Sequence, residues 1–111
     1  MDPTQQDVQN AFQQLYDNLT SAYWAASTIE DKDRIRGCAD VIFEILSQLT
    51  AEDIKSRSAE FEELKNSVQA VTKKLEQLQN EIDGIIHNIQ IASSVTAGIT
   101  KALGLATRFL G

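Results

Sequence analysis

A histidine and a cysteine are the residues best suited to chemistry, and the chain has one of each, His87 and Cys38. A thiol nucleophile needs its base within hydrogen-bond reach. Cys38 falls on the apolar stripe of its segment, and His87 falls away from the apolar register of residues 61–110, so the two are not expected to meet. Cys38 reads as a small buried hydrophobe and His87 as a surface residue. Metal chemistry fares no better. A di-metal bundle needs inward-facing Glu-x-x-His pairs, and there are none. Glu30, Asp31 and Asp33 cluster, but without the glycine and spaced oxygen ligands of a calcium loop. No glycine-rich phosphate loop occurs. The expectation is no catalytic residue, no cofactor, no metal and no enzyme activity.

The charge balance narrows the partners. Sixteen acidic residues stand against ten basic ones, a net charge of −6. Nucleic acid is not expected, because phosphate neutralisation needs clustered Lys and Arg. One cysteine cannot make an intrachain disulfide. The start Met1-Asp2-Pro3-Thr4 lacks a basic then apolar leader, so a reduced, cytoplasmic protein is expected. Asn18-Leu19-Thr20 fits a glycosylation sequon but lies inside an expected helix.

The elements that would position any site are written in hydrophobic spacing. Phe61, Leu64, Val68, Val71, Leu75, Leu78, Ile82, Ile85, Ile89 and Ala92 alternate steps of three and four. After Thr96 the register resumes at Ile99, Leu103, Ala106 and Leu110. Such a repeat marks helices packed side by side. Val8, Phe12, Leu15, Leu19, Ala22 and Ala26 form an earlier stripe flanked by Tyr16 and Tyr23. Ile35, Ala39, Ile42, Leu46 and Leu49 form another, broadened by Cys38, Phe43 and Ile45 as if it met two neighbours.

Capping patterns place the boundaries. Asp2 with Gln5, Ser27 with Glu30, Thr28 with Asp31, and Thr50 with Asp53 all have capping-box spacing. The chain therefore reads as a single all-α domain, residues 1–111, with helices over about 3–26, 29–49 and 51–91. Residues 93–110 either continue the third helix or form a fourth after Ser93-Ser94. Across Asp83-Gly84 the phase holds, so continuity or a gentle bend is expected there. The architecture is an antiparallel three- or four-helix bundle, or a helical hairpin with a long coiled-coil-like C-terminal helix.

Residues 84–111 differ in kind. They hold no acidic residue, and their only formal charges are Lys101 and Arg108. Ser94, Gly98, Ala102 and Ala106 recur every fourth position, a spacing that permits close helix approach. Trp24 lies off its seam, and it either closes the chain's own core or faces a partner.

Two functions follow as expectations. The first is a non-enzymatic interaction protein. It self-associates as a dimer or higher oligomer, or binds another helical protein, through the seam at Leu75, Leu78, Ile82, Ile85 and Ile89. The alternative is a membrane-active protein of pore-forming or membrane-anchoring type, peripheral to the bilayer. Its tail would offer Ile91, Val95, Ile99, Leu103 and Phe109 to lipid. The tail falls short of the ~20 largely apolar residues of a spanning helix.

Overall fold

The computed structural model describes residues 2–111, so Met1 of the expected start lies outside the described residues. Among the described residues the chain forms four α-helices: α1 Gln5–Ala25, α2 Ile29–Gln48, α3 Ser58–Ile85 and α4 Ile89–Leu110, with a single 3-10 turn at Ile54–Ser56.

Each boundary has a local cause. The first helix starts later than the Asp2 pattern suggests, because Thr4 takes the cap. The Asp7 N–H donates to Thr4 Oγ1 at 3.1 Å, and the Thr4 N–H donates to Asp7 Oδ2 at 2.9 Å. Ala26 is extended, and α2 opens on Thr28, whose Oγ1 accepts from the Asp31 N–H at 3.1 Å. The chain thus reverses in three residues without glycine or proline.

The third helix does not begin near residue 51. Thr50 Oγ1 donates back to the Ser47 carbonyl at 2.6 Å, and Asp53 takes a left-handed conformation with φ 49°. Both leave the segment a loop, which the Gln5 side chain holds. Gln5 Nε2 donates to the carbonyls of Leu49 at 2.8 Å and Ala51 at 2.6 Å, and Gln5 Oε1 accepts from the Ile54 N–H at 3.0 Å. Ile54 is thereby set fully buried beneath the core.

The long C-terminal helix is also corrected. It breaks at residues 86–88, neither at Gly84, which lies inside α3, nor at Ser93-Ser94, which lies inside α4. Ile86 is extended, and Asn88 caps α4 by accepting from the Ile91 N–H at 3.1 Å. Seven positions separate Ile85 from Ala92 whether the chain runs straight or turns back. The unbroken phase therefore carried no information about direction.

The four helices form an up-down-up-down ring in which each touches its two neighbours. Gln48 meets Ser67 and Arg34 meets Glu81, which sets α2 antiparallel to α3. Phe61 meets Phe109 and Gln79 meets Thr96, which does the same for α3 and α4. Tyr16 against Phe43 and Lys32 against the Tyr23 carbonyl orient α1 and α2. The bundle measures 43 × 26 × 19 Å. Its core contains no polar or charged residue among those described.

The ring closes between α4 and α1, where the small-residue stripe is used. A Cβ on Gly98 would lie 2.9 Å from Asn18 Nδ2 and 3.4 Å from Leu15 Cδ1. The same Asn18 amide donates to the Ser94 carbonyl at 3.1 Å. Nothing lies within 4 Å of a Cβ on Gly104. Gly98→Val is therefore expected to destabilise by about 1–3 kcal/mol through overpacking. Gly104→Ala should stabilise by up to about 1 kcal/mol through helix propensity alone. Urea midpoints measure both, and shifts of equal sign would contradict the close approach at Gly98.

Candidate interaction surface

The seam proposed as an interface is spent inside the chain. Leu75, Leu78, Ile82 and Ile85 are all buried in its own core. Only Ile89 is outside, 80% exposed at the start of α4. The tail residues divide similarly. Val95, Ile99 and Phe109 are buried, while Ile91 and Leu103 are half-buried against the core. Lipid contact by the three buried side chains would require the bundle to open. No helix among the described residues is long and apolar enough to cross a membrane.

The residues suited to chemistry stand apart. Cys38 is buried on α2, and His87 is exposed in the turn between α3 and α4. Burial pushes the Cys38 thiol up, against a weaker pull from Lys74 and Arg34. A raised thiol is protonated at neutral pH and is a poor nucleophile. No group of three or more His, Cys, Asp or Glu among the described residues could hold a metal ion. Glu81 is engaged by Arg34, whose Nη2 donates to Oε2 at 2.6 Å and Nη1 to Oε1 at 3.3 Å. That bond holds the Glu81 carboxyl below the usual carboxylate range. It clamps α2 to α3 and leaves no free group.

What the chain does expose is aromatic. Trp24 is 75% exposed at the end of α1, and Phe43 is 59% exposed on α2. An open groove of about 440 Å³, floored by the buried Leu19 and Ile35, has Trp24 in its lining and Phe43 beside its Tyr16 wall. Tyr16, Thr20 and Tyr23 line it from α1, and Arg36, Ala39 and Asp40 from α2.

Packing holds the aromatic walls in place. Tyr16 and Tyr23 are half-buried against the core. The Phe43 ring rests 6.0 Å from Tyr16, and Trp24 stands edge-on to Tyr23 at 5.2 Å. Lys32 Nζ, donating to the Tyr23 carbonyl at 2.7 Å, lies 5.1 Å from the Tyr23 ring centroid and 5.8 Å from that of Trp24. Such a placement favours the ring faces electrostatically. Ile29, exposed at the start of α2, and Ile89 extend the apolar surface around the Trp24 end of the bundle.

The sequence placed Phe43 with the core stripe, and the structure places it outside. Ile42 and Ile45 fill the interior, and Phe43 projects on the other side of them. Its face was available from spacing: Arg36, Asp40 and Phe43 are seven and three residues apart, on one side of a helix. Three alternating apolar residues near one polar stripe concealed it.

The chain matches no family model, no curated protein and no solved structure.

Proposed function

We propose that this protein is a non-enzymatic interaction module that docks a helical protein surface in the groove between α1 and α2. The carrying observation is the exposure of Trp24, which lines that groove, and of Phe43, which flanks it against Tyr16, on rings already held by packing. Tryptophan and tyrosine in a recessed surface are the residue types that anchor protein interfaces. A groove between two antiparallel helices suits an apolar stripe on a third. The buried seam from Leu75 to Ile85 supports the bundle itself, so partner contact is assigned to the aromatic face instead.

A photo-crosslinking amino acid placed at Thr20, inside the groove, tests the reading in cells. The control position is Glu76, exposed on α3. Discrete protein adducts are expected from Thr20, absent from Glu76 and lost when Phe43→Ser is added. Equal labelling from both positions, or adducts indifferent to Phe43→Ser, would overturn the reading.

The membrane-active alternative is supported by the acid-free composition of α4 and by the apolar end formed by Trp24, Ile29 and Ile89. Flotation of the full-length protein with neutral or anionic liposomes, together with no crosslink from Thr20, would make it the better account.

A further inference from the structure

We infer that the occupant of this groove is a second copy of the same chain. It would be bound antiparallel about a two-fold axis that crosses α2 near residue 38. The inference rests on the reading of the α1/α2 face as a docking surface and names its partner.

Charge is the first argument. Arg36 and Asp40 are both exposed, both line the groove, and sit one helical turn apart. The ion pairs among the described residues are Arg34–Glu81 and Lys65–Glu62, so Arg36 and Asp40 belong to none. Basic before acidic is the poorer order for a pair four residues apart on one helix. A two-fold interface presents the same patch on both sides, so each contact occurs twice. With the axis between them, Arg36 of each copy comes opposite Asp40 of the other. The groove is therefore complementary to itself in charge.

The aromatics obey the same symmetry. Trp24 lines the groove beside Lys32, and Phe43 lies toward the opposite end of α2, packed against the groove's Tyr16. Reversing one copy against the other carries each Phe43 toward the Trp24 end of its partner. Exposed rings at both ends are then covered in one docking event.

Size selects the side of the bundle over its tip. Stable complexes bury roughly 800 Å² on each partner. The apolar end face, bounded by 26 and 19 Å, is smaller than that, whereas a face bounded by 43 and 26 Å has the room. Each chain carries −6, so two copies repel at long range. At physiological salt the Debye length is about 8 Å, and that repulsion is largely screened.

Sedimentation velocity at physiological ionic strength tests the inference on four samples: the unmodified protein, Arg36→Asp, Asp40→Arg, and an equal mixture of the two variants. The unmodified protein should dimerise at micromolar concentration. Each variant alone should weaken dimerisation by at least about tenfold, since it sets like charges opposite one another twice. The mixture should recover a dimer, because the two variants are complementary to each other. Circular dichroism melts of each variant, unchanged from the parent, show that the effect lies between chains. A monomeric parent protein, or a mixture no stronger than its components, overturns the inference. If the Thr20 crosslink then persists with a different chain and still depends on Phe43, the docking surface stands and only its occupant is wrong. If the crosslink is absent as well, both fail.

Discussion

Ile82→Asp is expected to leave the chain unfolded. Ile82 is 4% exposed on α3, one turn from Leu78 and Ile85, in a core without any buried polar partner among the described residues. Deleting the aliphatic side chain alone costs about 2–5 kcal/mol. A carboxylate put in its place must be buried unpaired, remain in water by displacing the helix, or take up a proton, and each route adds a further cost. Domains of this size have a total stability of about 5–15 kcal/mol. The variant should show a weak far-UV helix signal and no cooperative melt at 25 °C. A cooperative transition within a few degrees of the parent would mean that Ile82 faces outward, and that α3 packs through another side. The same variant would be uninformative about assembly, because it removes the fold before it reaches any interface.

Gln5→Ala should destabilise the bundle by about 2–3 kcal/mol, a large effect for a half-buried polar residue near the start of the chain. Its amide donates twice and accepts once, tying α1 to residues 49–54. A hydrogen bond contributes about 0.5–1.5 kcal/mol net, and a buried group left unpaired costs about 1–3 kcal/mol. Gln5→Glu should be worse than alanine despite its matching shape. A carboxylate still accepts from the Ile54 N–H but meets the Leu49 and Ala51 carbonyls with no proton to offer. Urea unfolding gives the size of each effect, and faster amide exchange at Ile54 would locate it. A loss below about 0.5 kcal/mol for Gln5→Ala would show that the loop holds itself.

These two residues also mark what the sequence disclosed and what it withheld. The all-α class, the helical stripes and the cap at Thr28 were legible, because each depends on residues a few positions apart. The burial of Leu75, Leu78, Ile82 and Ile85 followed from the same spacing. Their assignment to a partner did not, since an apolar stripe is identical whether its cover belongs to the same chain or another. The reversal at residues 86–88 was hidden because hydrophobic phase counts positions without recording direction. Gln5 was read as half of a local cap, and its contacts 44 to 49 residues away have no local signature. The groove was the least visible feature. Trp24 stood out by type, but Phe43 becomes meaningful only when α2 is rotated so that Arg36, Asp40 and Phe43 share a side.

The closing of the ring by α4 has a consequence for how the protein is made. On the ribosome α4 follows the other three helices, yet α1 and α3, each packed on α2 along one side, depend on α4 to cover the other. Until it emerges, the growing chain is a row of three helices with its two outer members bare along one side. Exposed apolar surface of that kind is where nascent chains aggregate or recruit chaperones. A slow stretch of translation within residues 89–110 should therefore reduce the yield of native protein more than the same delay anywhere before Ile54.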